Sequence, residues 1–89
     1  MKIRITSTDA RIQRTLDMCP EMWVRACQRT LPTMPASVVS CCPGAVVFRD
    51  VSPGTATSIF FAVCNVVFDR VAFSSIQTTL IPEKKGEKQ

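Results

Sequence analysis

The chain contains no histidine. That removes the commonest general base, the usual partner of a nucleophilic serine or cysteine, and the commonest nitrogen ligand for zinc. The cysteines at positions 19, 27, 41, 42 and 64 include no Cys-x-x-Cys pair, the other common start of a zinc site. Their odd number and unpaired spacing read as small buried hydrophobes in a reducing compartment, nucleus or cytoplasm, rather than as a disulfide framework. A non-enzymatic protein without metal or cofactor is therefore expected. Long apolar runs are missing too. The longest, Ile59 to Val67, is broken by Asn65 and closed by Asp69-Arg70, well short of the ~20 residues that a membrane span requires. The opening MKIRITSTDAR has basic residues but no apolar segment behind them, so no secretory signal is expected and the chain reads as soluble, without a membrane partner.

What is present fits one packed domain. Eighty-nine residues, 46% hydrophobic and 20% charged, suffice for a single core but not for two. The net charge of +4 and the pI of about 9.0 favour an anionic partner, although much of the excess lies in the terminal IPEKKGEKQ.

The pattern along the chain alternates between strand and helix. Residues 2–6, KIRIT, have period-2 alternation, which sends Ile3 and Ile5 to a core and leaves Lys2, Arg4 and Thr6 outside. Ser7-Thr8-Asp9 offers capping side chains. Beyond it Ile12, Leu16, Cys19, Trp23 and Ala26 recur on one helical face. Pro20 interrupts this face, at a cost of ~3 kcal/mol inside a continuous helix. Either the helix kinks there or a second helix starts with Pro20 in its first turn. If it runs through, Arg11, Arg14, Arg25 and Arg29 share the opposite face, as a phosphate-tracking stripe or as a solvated surface paired with Asp17 and Glu21. Residues 30–35, TLPTMP, form a linker, and residues 36–42, ASVVSCC, a small β-branched strand.

Cys42-Pro43-Gly44-Ala45 fits a β-turn into AVVFR, residues 45–49, and Ser52-Pro53-Gly54-Thr55 offers a helix cap behind it. Thr55 to Phe68 is rich in strand-forming residues but occupies a helical position. As a helix it groups Ile59, Phe60, Val63, Val66 and Val67. Residues 71–81 return to extended character. The order β-α-β-β-α-β implies an α+β, ferredoxin-like split βαβ sandwich, with a four-stranded antiparallel sheet and two helices on one face. Right-handed crossovers then set KIRIT beside AVVFR in the centre of the sheet.

This order, the third strand GAVVFRDV and the later NVVFDRVAFSSIQ together resemble an RNA recognition motif over residues 1–82, with 83–89 as a flexible basic tail. The resemblance implies a module for RNA or single-stranded DNA that stacks bases on aromatic side chains of the two central strands. Here the corresponding positions are Pro43 and Ala45 on the third strand and Arg4 on the first. The aromatic platform is absent. What remains is a face carrying Lys2, Arg4, Thr6, Ala45, Val47 and Arg49, extended by Lys84 and Lys85 of the tail, which would meet nucleic acid mainly through its phosphates. Arg4 can stack on a base or simply solvate the sheet. The rival expectation is a protein-interaction module that docks a partner through the bare sheet or the helix face around Trp23. A third is another ferredoxin-like component of a ribonucleoprotein, because a KIRIT-like strand followed by a helix also occurs in small ribosomal proteins.

Overall fold

The computed structural model describes residues 2–30 and 39–82. Strand β1 spans Lys2–Ser7 and is followed by Asp9, whose side chain caps helix α1, Ala10–Met18, by accepting from the Arg11 amide at 2.9 Å. Pro20 divides the helical face rather than kinking it. Cys19 leaves helical geometry at φ −136° and ψ 61°, its amide closing α1 on the Thr15 carbonyl at 2.8 Å. Helix α2, Pro20–Thr30, then starts on the proline itself, where a missing N–H costs nothing. Of the two possibilities at Pro20 the second helix is the one adopted, so the continuous helix on which Arg11, Arg14, Arg25 and Arg29 would share a face does not form. Ile12 and Leu16 of α1 and Trp23, Ala26 and Cys27 of α2 nevertheless reach one core.

Strand β2 is Val39–Cys42, shorter than the expected 36–42; the linker 31–35 and residues 36–38 lie outside the described residues. Strand β3, Ala45–Arg49, follows the expected Pro43-Gly44 turn. Gly44 has φ +80°, the left-handed region in which a side chain is strained. The turn is held to α1 from both sides: the Gly44 amide donates to the Leu16 carbonyl at 3.2 Å, and Gln13 Nε2 donates to the Gly44 carbonyl at 2.7 Å.

Helix α3 spans Pro53–Phe68, with Ser52 accepting from the Thr55 amide at 3.2 Å and Pro53 in its first turn. The cap decides against the strand propensity of its side chains, because packing of an apolar face outweighs propensities of tenths of a kcal/mol. The buried face differs from the expected grouping. Ile59, Phe60 and Val63 are buried together with Ala56 and Cys64, whereas Val66 is 81% and Val67 42% exposed. Val66 and Val67 both stand in the last turn of the helix, past the stretch that packs on the core. A 3₁₀ turn, Phe73–Ser75, precedes strand β4, Ile76–Ile81, so only the second half of 71–81 is strand.

The sheet is antiparallel throughout, in the order β2-β3-β1-β4. KIRIT and AVVFR do lie side by side, Ile3 opposite Phe48 and Ile5 opposite Val46. These four side chains are fully buried against the three helices. The protein is thus α+β, with a four-stranded antiparallel sheet and three helices. Trp23 fills the centre of the core, its ring 5.0 Å from Phe60 and 5.9 Å from Phe68. Its Nε1 donor has no partner among the described residues, which costs about 1–3 kcal/mol; the apolar area that the indole buries offsets this.

Cys27 on α2 and Cys64 on α3 are buried as the sequence suggests, and burial pushes both thiols up to about 12. Cys19, in contrast, is exposed at the helix break. Iodoacetamide at pH 8 should therefore alkylate Cys19 in the native protein and leave Cys27 and Cys64 unmodified until denaturant is added, as peptide mass mapping would read out. Gly44→Ala should lower stability by about 1–2 kcal/mol, the cost of placing a Cβ in left-handed backbone. Urea denaturation should show a reduced midpoint with an unchanged slope; an unchanged midpoint would mean that the turn relaxes freely.

Candidate nucleic-acid interface

Period-2 geometry makes the face opposite the helices the counterpart of the core. In the observed register Lys2 stands opposite Arg49, and Arg4 stands between Val47 on one side and Thr79 on the other. Opposed residues share a face, so Lys2, Arg4 and Arg49 come together, as expected, with Thr6 at the far end of β1. Arg4 and Arg49 are exposed; Lys2 and Thr6 are half-buried. Two cations directly opposite each other destabilise a sheet slightly. No described strand position on this face is acidic or aromatic, and Lys2, Arg4 and Arg49 make no ion pair among the described residues.

Two expectations for this face fail. Ala45 and Val47 were expected to be open to a ligand but are only 3% and 6% exposed. The register sets Val47 between Arg4 and Ser40, and Ala45 opposite Cys42. Side chains on both neighbouring strands stand beside these short ones. Lys84 and Lys85 lie outside the described residues. The face also has members that the sequence reading left out, Gln77 and Thr79 of β4, opposite Thr6 and Arg4. The alternation of Ile76-Gln77-Thr78-Thr79-Leu80 held that signal, but only the pairing of β4 with β1 assigns it to this face.

Elsewhere Arg11 and Arg25 are engaged, while Arg14, Arg29 and Arg70 make no ion pair among the described residues. Arg11 grips the Asp9 carboxylate with Nε at 3.2 Å and Nη2 at 2.9 Å, and its guanidinium lies 5.7 Å from the centre of the Phe68 ring. Arg25 approaches Glu21 at 3.8 Å. Asp17, expected beside Arg14, instead accepts from Gln13 Nε2 at 3.2 Å. Trp23 itself is not available to a partner, because the indole is 0% exposed; its size and apolarity draw it into the core. A concavity of about 530 Å³ lies at the α1–α2 break between Cys19, Met22 and Arg29. It is on the helix side of the sheet. Among the described residues no cluster of three His, Cys, Asp or Glu side chains could hold a metal ion, and no helix is long and apolar enough to cross a membrane.

Comparison with protein-family models, with curated proteins and with solved structures found no match to this chain. The case for function rests on the residues themselves.

The Asp9–Arg11 contact makes a separate prediction. Side-chain hydrogen bonds from Arg11 hold the Asp9 carboxyl at about 2, below its ordinary 3.8. A carboxyl depressed by folding stabilises the folded state above its unfolded pKa and loses that contribution as pH falls through the folded one. NMR titration should therefore place the Asp9 midpoint near 2, with the stability it contributes fading between about pH 4 and pH 2. In Arg11→Ala the midpoint should return towards 3.8.

Proposed function

We propose that this chain is a non-enzymatic module for RNA or single-stranded DNA, held mainly through phosphates on the open face of its sheet. The observation that carries this reading is the convergence of Lys2, Arg4 and Arg49 on a face with no described acidic strand position. Polyanion binding would relieve the mutual repulsion of these cations and release counterions. Without an aromatic side chain on the described part of the face, bases gain no stacking platform beyond the guanidinium of Arg4. Recognition is accordingly weak, salt-dependent and tolerant of sequence.

The finer fold assignment belongs to the same proposal. We read the molecule as a ferredoxin-like split βαβ sandwich of the RNA-recognition-motif kind, in which α1 and α2 together stand where one helix is usual. The order β2-β3-β1-β4 supports this, as do the connections of β1 to β2 and β3 to β4, which each step over one intervening strand. A protein-interaction module is the second reading, favoured by the exposure of Phe73 and Leu80 near the outer edge of β4.

Fluorescence anisotropy with a mixed-sequence RNA and with single-stranded DNA separates the two. For three phosphate contacts the logarithm of the binding constant should fall with the logarithm of salt at a slope of about −2. Arg4→Glu combined with Arg49→Glu should abolish binding while circular dichroism stays unchanged, since both side chains are exposed. Absence of binding by the parent protein at low salt would leave the protein-partner reading in its place.

A further inference from the structure

The outer edge of β4 has a separate chemistry. β4 bonds only to β1, so alternate backbone N–H and C=O groups along it point away from the sheet, and no described residue answers them there. Proteins usually blunt such an edge with lysine, proline, a bulge or brevity. β4 uses none of these: its six residues pair with β1 without interruption, carry no charge, and meet proline only afterwards, at Pro82. Beside it Leu80 is 51% exposed and Phe73 54%.

We propose that β4 is a self-association strand through which two copies of the chain join antiparallel, running their sheets into one. Several features favour a second copy as the occupant. The chain carries a net charge of +4, so copies repel one another through most of their surface, whereas β4 is uncharged. Its sequence is also complementary to itself. A two-fold axis perpendicular to the sheet keeps the helices of both copies on one side and requires opposed residues to share a face. Centred on Thr78, the pairing sets Ile76 opposite Leu80 of the second copy on the helix side, and Gln77 opposite Thr79 on the other. Centring on Thr79 would instead oppose Thr78 to Leu80 and Gln77 to Ile81. Across residues 76–80 the Thr78 register matches apolar with apolar and polar with polar on both faces, and Ile81 falls opposite Ser75, outside the strand.

Sedimentation equilibrium of the full chain, free of nucleic acid and at moderate salt, tests this. The wild type should show a reversible dimer. Gln77→Lys with Thr79→Lys opposes like charges at two symmetry-related pairs and should weaken dimerisation about tenfold. Gln77→Lys with Thr79→Glu opposes unlike charges in the same register and should strengthen it. All of these positions are exposed, and circular dichroism should confirm that each variant folds. Hydrogen exchange should show β4 amides gaining protection with wild-type concentration. A wild type monomeric up to millimolar concentration would overturn the proposal, as would equal dimerisation of the three proteins.

Discussion

The pairing of β1 with β3 is the constraint on which the rest of this molecule depends. Ile3 and Ile5 against Phe48 and Val46 give the sheet its apolar floor, and the helices have nothing else of comparable size to pack on. Because side chains alternate, the register that buries these four also dictates where Lys2, Arg4 and Arg49 must go. A slip of β1 by one residue would drive Lys2 and Arg4 into the core and turn Ile3 and Ile5 out of it. The basic face is therefore fixed by the energetics of burial, and its like-charge crowding is tolerated because apolar burial at ~25 cal/mol per Å² outweighs a repulsion of tenths of a kcal/mol.

Much of this was legible in the sequence because the decisive signals are local. KIRIT alternates, the Pro-Gly corners mark where strands end, and Ser52-Pro53 starts a helix that the Ile, Phe and Val content of residues 59–68 argues against. Pro20 could not be resolved from sequence, because a kink and a break place Trp23 and Ala26 on almost the same face; the geometry of Cys19 decides between them. Ala45 and Val47 were misjudged for a different reason. Alternation reports which face a side chain occupies but not how tall its neighbours are, so the shielding of a short side chain in a central strand is invisible until the register is known. The outer half of the interface, Gln77 and Thr79, likewise depended on a contact between opposite ends of the chain.

The open face is specialised by subtraction. Among the described aromatic rings Trp23 pairs with Phe60 and Phe68, Phe61 pairs with Phe73, and Phe48 is buried in the core. The sheet keeps charge and hydroxyl groups for its other surface. Such a face discriminates polymers by charge density and flexibility rather than by base identity. Its contacts have little need of side-chain precision, which is consistent with arginines that make no ion pair among the described residues.

The Gly44 turn has a meaning beyond its own geometry. By donating to the Leu16 carbonyl, it supplies a C-terminal hydrogen bond to α1 from a site far along the chain. α1 is nine residues long, below the ~12–15 at which an isolated helix is even marginal in water. Tertiary contacts therefore supply what its length does not, and the Gly44 bond couples α1 to the β2–β3 hairpin, so that loosening either one removes a hydrogen bond from the other.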